Sequence, residues 1–411
     1  MNFEALVSST RAPVISTSRD CATTESERTT PIRVERIMGA ECNMALMDDA
    51  DVMKQLWRFD PDVPVERAHT PPGSWYTTPE FHDLERTVFL ESWQAVARTD
   101  QFEREGDCVT GVLAGEPWVI VFGENRRLRA FKNVCAHHAA EVVQCDGNLA
   151  ELVCPYHGWK YDLDGRLSSA PRMAGVTEFD RDQVGLKPID IATWGPLVFI
   201  RFGGDAAPPA DALLELTARL DKTGTDRLTW WARRTFVLDC NWKVFVDNYL
   251  DGGYHVAHLH PKLASELDLD TYRLDAYEDF SIQTCGGGGF DDRLGDGAIY
   301  AWIWPNLMVN RYGPVLDVNI VSPLAPDKCA VIFDWWFEDT EGAEAEEFIA
   351  EAIEESVRVQ HEDDGICASV QRGLASSGYD AGRYSPHLEH AMWRFHRRLW
   401  DVLRRAASDG A

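Results

Sequence analysis

No stretch of this 411-residue chain approaches the roughly eighteen consecutive apolar residues that a membrane-spanning helix needs. The longest apolar runs, such as Trp118 to Phe122, have the length of a strand. Basic residues are outnumbered: 40 Lys and Arg stand against 67 Asp and Glu, for a formal net charge of −27. A field of that sign repels phosphate backbones and anionic lipid surfaces, which argues against nucleic acid and membrane as partners. It favours a cationic small molecule, although solubility alone also accounts for an acidic surface. Ten cysteines are present, but their spacing forms no disulfide framework, and a chain long enough for two or three cores needs none. A soluble protein of a reducing compartment is expected. No internal repeat is visible.

Residues 1–19 hold Ser8, Ser9, Thr10, Arg11, Ser16, Thr17, Ser18 and Arg19, with Glu4 as their one acid and no hydrophobic secretory core. Two readings fit residues 1–50: a Ser/Arg-rich transit peptide, or a poorly ordered tail with Met38, Met44 or Met47 as the true start. Residues 51–75 carry Pro61, Pro64, Pro71 and Pro72 and read as an extended lead-in. Apolar spacing at Phe81, Leu84, Val88, Phe89 and Trp93 predicts a helix over 79–93. From 95 to 205, short β-rich runs at 108–113, 118–122, 128–133, 152–154 and 197–202 alternate with turn residues, the texture of a small antiparallel domain. Gly, Ala and Pro at 203–210 predict a linker. Beyond it the pattern mixes helices near 211–221, 241–265, 343–374 and 386–406 with strands at 228–238, 299–304, 315–321 and 329–337. The expected organisation is a 1–50 extension, a 51–94 lead-in and helix, a 95–205 β domain and a 206–411 α+β domain. Four glycines at 286–289 match no phosphate-binding pattern and read as a mobile loop.

Cys135-Ala-His137 is followed after sixteen residues by Cys154-Pro-Tyr-His157. Each half sets one thiolate and one imidazole on a tight loop. Two such loops facing each other can hold a [2Fe-2S] cluster, with both cysteines on one iron and both histidines on the other. A Cys2His2 zinc site is the rival, but zinc fingers pair Cys with Cys and His with His. Cys145, Cys240, Cys285, Cys329 and Cys367 read as buried small apolar residues.

A second constellation lies in the segment from Asn241 to His260, which holds His255, His258 and His260. Two imidazoles and a distant carboxylate can make the facial triad of non-haem Fe(II) oxygenases. The carboxylate is sought in the acidic helix around Glu362, Asp363 and Asp364. Alone, His255 and His260 are a weak signal, and an acidic run is usually a solvated helix face.

Together these features resemble the α-subunits of Rieske non-haem iron oxygenases, most closely the plant choline monooxygenases. The resemblance runs from about Phe59 to Leu399. It rests also on Thr70-Pro-Pro-Gly-Ser-Trp-Tyr76, Asp247-Asn-Tyr-Leu-Asp-Gly-Gly-Tyr-His-Val256, Pro305-Asn306, Asn310-Arg-Tyr-Gly-Pro314, Val370-Gln-Arg-Gly-Leu374 and Tyr379-Asp-Ala-Gly-Arg-Tyr384. It departs at His138, where the family pattern has Arg. It implies an α+β chain, with an all-β Rieske domain before a helix-grip (START-like) catalytic domain whose antiparallel sheet packs on a long C-terminal helix. It further implies Cys135, His137, Cys154 and His157 as cluster ligands, and His255, His260 and Asp363 as ligands of a mononuclear Fe(II), with Glu362 and Asp364 as alternatives for the third. Asp251 and Asn248 are the candidate catalytic side chains. In the family a carboxylate three residues before the first histidine links it to the cluster histidine of a neighbouring subunit. Here that position is Gly252, so Asp251 must take the role, with the Gly-Gly pair bending the chain.

The same resemblance implies a ring-shaped homotrimer that takes electrons from a ferredoxin or flavin reductase and uses O2 to hydroxylate a small substrate. The expected substrate is choline, giving betaine aldehyde hydrate, and the expected compartment is the cytoplasm, or the chloroplast stroma if residues 1–50 are a transit peptide. Other quaternary amines, betaines or aromatic acids remain alternatives, as does a Rieske electron carrier without a second iron. A quaternary ammonium donates no hydrogen bond and is held by aromatic faces. Trp302 and Trp304 alternate on a predicted strand beside Tyr300, with Tyr312 nearby, and are the candidate cage; a packed aromatic core is the competing reading. Colour separates the two readings of the first motif. The purified protein is expected to be reddish-brown, with a Rieske visible spectrum, and a colourless preparation containing zinc would discard the cluster.

Overall fold

The computed structural model describes residue 47, residues 49–287 and residues 297–409. The question of a transit segment within residues 1–50 lies outside the described residues, as do Gly288 and Gly289 of the glycine run. Gly286 and Gly287 end a strand, Phe280–Gly287. Among the described residues no helix is long and apolar enough to cross a membrane.

The β-rich texture after residue 94 resolves into a seven-stranded antiparallel sheet. Its spatial order is Gln94–Arg98, Leu197–Arg201, Pro188–Trp194, Leu128–Lys132, Glu116–Phe122, Asp107–Leu113 and Gly147–Asn148. A small three-stranded sheet, Leu152–Val153, Lys160–Tyr161 and Leu167–Ser169, is set into it. The expected linker is tied down, because Arg201 Nη1 and Trp93 Nε1 both donate to the Ala206 carbonyl, at 2.6 and 3.2 Å.

The second sheet also has seven antiparallel strands, in the order Thr229–Leu238, Lys328–Phe337, Val315–Ala325, Leu307–Tyr312, Ala298–Ile303, Phe280–Gly287 and Leu267–Ala276. Both of its faces are covered. Ala301, Ile303, Leu307 and Val309 pack into a core with Ala95, Trp194, Leu197 and Phe199 of the first sheet and with Leu213, Leu216 and Leu220. Trp302, Met308 and Tyr312 point the other way, toward the helices Trp242–Tyr249, Ala343–Leu374 and His390–Asp409. A strand buried on both faces loses the polar–apolar alternation. That loss hid Leu307–Tyr312 and Phe280–Gly287 from sequence reading.

The lead-in is corrected. It is not an extended segment: Asp49–Leu56 and Ser74–Thr77 are helical. Val52, Leu56, Phe59, Trp75 and Tyr76 are buried against Phe395, Leu399, Val402 and Leu403 of the C-terminal helix. The prolines break the segment into short pieces but do not keep it from packing.

One buried ion pair fixes the Pro79–Glu91 helix to the Trp242–Tyr249 helix. Lys243 is 0% and Glu85 1% exposed in the side chain, and the two are in contact. Trp242 Nε1 donates to the other Glu85 oxygen at 2.6 Å. Burial lowers the Lys243 pKa, and Glu85 opposes that shift. Removing one partner strands the other charge in the core, whereas removing both does not. Glu85→Ala is therefore expected to lower the unfolding free energy in urea by roughly 3–5 kcal/mol. The double variant Glu85→Leu/Lys243→Met should recover most of that loss.

Candidate metal centres and the cavity between helix and sheet

The two Cys/His loops are near copies of each other. In one, Ala139 N donates to Cys135 O at 3.0 Å and Cys135 N to Ala140 O at 2.8 Å. In the other, Gly158 N donates to Cys154 O at 3.0 Å and Cys154 N to Trp159 O at 2.8 Å. The turn needs a left-handed residue four places after each cysteine, and Ala139 (φ 60°) and Gly158 (φ 71°) supply it. Both sulfurs are buried while His157 is exposed. His137 Nδ1 and His157 Nδ1 lie 3.1 Å apart, aimed at one point. Trp159 stacks on the His137 ring at 4.7 Å. The Tyr161 hydroxyl accepts from Ala136 N at 3.0 Å and donates to Cys135 Sγ at 3.2 Å. Burial pushes its pKa up, so it remains a donor. This set, with soft ligands inside and imidazoles outside, suits a [2Fe-2S] cluster with two sulfur and two nitrogen ligands. His138 lies at the exposed rim, its ring 4.1 Å from that of His137.

The expected 241–265 helix is broken into Trp242–Tyr249, Val256–Leu259 and Pro261–Glu266. Gly252 (φ 71°) and Gly253 (φ 76°) make the first break. A Cβ on Gly252 would lie 2.2 Å from the Leu388 carbonyl oxygen, and one on Gly253 would lie 3.1 Å from the Tyr272 ring. The wound backbone lets Asp251 reach forward. Its Oδ1 accepts from Tyr254 N at 3.1 Å and its Oδ2 from His255 N at 3.0 Å. Oδ2 also holds His255 Nδ1 at 2.6 Å.

His260 is held in the same manner by Glu362, with Nδ1 to Oε2 at 2.6 Å, and Arg358 fixes the other Glu362 oxygen at 2.7 Å. Each carboxylate accepts only, so each Nδ1 carries the proton and each Nε2 presents its lone pair. Both Nε2 atoms face Asp363 Oδ1, at 3.9 Å from His255 and 3.1 Å from His260. Asn248 Nδ2 donates to the same oxygen at 2.9 Å. His255, His260 and Asp363 are the one group of three or more such side chains among the described residues whose ligand atoms converge within 4.8 Å. Of the other acids weighed for the third position, Glu362 orients His260, and Asp364 turns away to Gln360 and His361. His258 is exposed.

These three side chains open into a cavity of about 150 Å³ between the sheet and the Ala343–Leu374 helix. Phe245, Tyr249, Tyr272, Tyr300, Tyr312 and Phe333 form its aromatic wall. The cage expectation is corrected for two of its four residues, Trp302 and Trp304, while Tyr300 is part of the wall. Tyr312 lines the cavity, but Trp302 and Trp304 lie farther along the strand beneath Phe395, with ring centroids 5.5 and 5.9 Å from it. Their indoles are engaged in the core, Trp302 with the Pro305 carbonyl and Trp304 with Ser92. Sequence reading missed Tyr249 and Tyr272, which face the cavity from separate elements. Tyr249 was findable, since it follows Asn248 directly.

The Rieske [2Fe-2S] domain model matches residues 92–180. The ring hydroxylating alpha subunit (catalytic domain) model matches 225–295 and 289–405. The chain is 46% identical over 373 residues to the chloroplastic choline monooxygenase of Arabidopsis thaliana, covering 86% of this chain and 88% of that protein. It is 30% identical over 358 residues to the carnitine monooxygenase oxygenase subunit of Escherichia coli K12, covering 82% and 95%. A crystal structure of a quaternary ammonium Rieske monooxygenase superposes with a TM-score of 0.73 at 27% identity, covering 87% of this chain and 99% of that one. The chain belongs to the Rieske non-haem iron oxygenase α-subunits, whose cofactors are a Rieske [2Fe-2S] cluster and a mononuclear iron.

Proposed function

We propose that this enzyme hydroxylates choline to betaine aldehyde hydrate, with Cys135, His137, Cys154 and His157 holding the cluster and His255, His260 and Asp363 holding the iron. Held there, the cluster would supply one-electron transfer and the iron would supply the O2 activation needed to put one oxygen atom into a substrate C–H bond. The observation that carries the substrate is the cavity wall. It is aromatic and contains the carboxylate of Asp317, and no Lys or Arg lines it among the described residues. Aromatic faces attract a trimethylammonium group by roughly 0.5–2 kcal/mol each. A cavity of this volume suits a ligand of about benzene's size. Carnitine is larger and carries a carboxylate, for which the described wall offers no cation.

The protein supplies orientation. Asp251 and Glu362 set the tautomer and direction of the two ligand imidazoles, and Asn248 steadies Asp363. Asp251 already contacts the His255 ring, which supports it as the near half of an electron path from a neighbouring subunit's cluster histidine. The exposure of His157 supports the far half. A ferredoxin or flavin reductase as donor and a homotrimeric ring complete this reading. The chloroplastic naming of the Arabidopsis relative supports residues 1–50 as a transit segment.

His255→Ala is expected to abolish turnover while leaving the brown colour intact, and Cys135→Ser to abolish both. Full turnover by the His255 variant would remove the iron site from this segment. Substrate identity is read by supplying reduced ferredoxin, 18O2 and choline, trapping the aldehyde by reduction, and measuring mass. A fraction of the trapped product is expected to carry one 18O atom, because dehydration of the hydrate can expel either hydroxyl. Turnover of carnitine or benzoate without choline would keep the oxygenase and discard the substrate.

A further inference from the structure

The Ala343–Leu374 helix turns a polar stripe inward: Ser356, Gln360, Asp363 and Cys367 are buried along it. Spacings of three and four put these residues on one face. Gln360 is 1% exposed and lines the aromatic cavity one turn before Asp363. Its amide is set from behind. Nε2 donates to Asp364 Oδ1 at 2.6 Å, and Asp364 Oδ2 is held by His361 Nδ1 at 3.2 Å. A carboxylate only accepts, so Asp364 selects the NH2 edge of the amide and leaves the carbonyl for another partner.

That carbonyl, Oε1, is buried and has no hydrogen-bond partner in the protein. Of the described residues lining the cavity, Gln360 is the one with a buried side-chain oxygen or nitrogen in this condition. Its polar neighbours are engaged. Gln283 accepts from Tyr272 and donates to the Tyr249 carbonyl, and Asn310 accepts from Tyr249 and donates to Asp317. A buried acceptor left without a donor is costly, so Gln360 Oε1 calls for a donor from outside the protein.

We infer that Gln360 Oε1 accepts the hydroxyl hydrogen of the substrate and selects an amino alcohol over quaternary ammonium compounds that lack an O–H. The inference rests on the choline reading and adds the residue that recognises the alcohol end. With the hydroxyl held one helical turn from Asp363, the carbinol carbon lies on the metal side of the cavity and the trimethylammonium group falls among the tyrosines. A betaine carboxylate only accepts, so it meets Oε1 as a second acceptor and is disfavoured.

The test is titration calorimetry of the full-length, iron-loaded protein with choline and with ethyltrimethylammonium, the same cation without the hydroxyl. The wild type is expected to bind choline about tenfold tighter or more. Gln360→Leu should lose that margin for choline and bind ethyltrimethylammonium as the wild type does. Gln360→Met, close in length, gives the same result if the leucine variant melts early, and the brown colour and thermal unfolding of each report an intact fold. Equal weakening toward both ligands would make Gln360 a residue that only shapes the cavity. Equal wild-type affinity for both would leave the quaternary ammonium reading standing and overturn the role of Gln360. Binding of neither ligand would overturn both.

Discussion

The catalytic half of this molecule depends on two carboxylates that do not themselves face the metal position. Asp251 and Glu362 each accept a hydrogen bond from the Nδ1 of one histidine, at 2.6 Å in both cases, and so aim both Nε2 atoms at Asp363. Without them either imidazole could present the wrong nitrogen or rotate away. Asp251 reaches His255 only because Gly252 and Gly253 adopt left-handed conformations, and at Gly252 a side chain would collide with the Leu388 backbone. Two glycines thereby do work that a uniform helix could not.

The Ala343–Leu374 helix concentrates the remaining function on one face. Asp363 meets the histidines, Gln360 meets the cavity, and Glu362, on the adjoining face, meets His260. This helix must keep its register against the sheet, because a shift of one residue would replace Asp363 by a neighbouring acid with different partners. The sheet beneath supplies that rigidity. Its central strands are buried on both faces, so they have no solvent-exposed side on which to slip.

The electrostatics of surface and cavity point the same way. A chain with net charge −27 draws cations from solution, and the cavity offers aromatic faces and carboxylates once they arrive. The Rieske loops are arranged by a different rule. Their sulfurs are buried and His157 is exposed, which suits a centre that receives and passes electrons at a surface.

The sequence by itself picked out the candidate ligands of both centres, the second pair being a weak signal until set beside the first. Cys135, His137, Cys154 and His157 lie close together in the chain, so spacing alone brings each half onto a single loop, and His255 and His260 are five residues apart for the same reason. Most strands and the Ala343–Leu374 helix were also legible, since local periodicity carries them. What only the tertiary structure decided is whatever joins distant segments. The choice of Asp363 over Glu362 and Asp364 depends on which face of a helix meets His260, more than a hundred residues away. The exclusion of Trp302 and Trp304 from the cavity depends on Phe395 covering them. The unpartnered carbonyl of Gln360 depends on Asp364 holding its amide from behind. A hydrophobic pattern states which residues are buried but not which neighbours bury them, and at this site the neighbours decide the function.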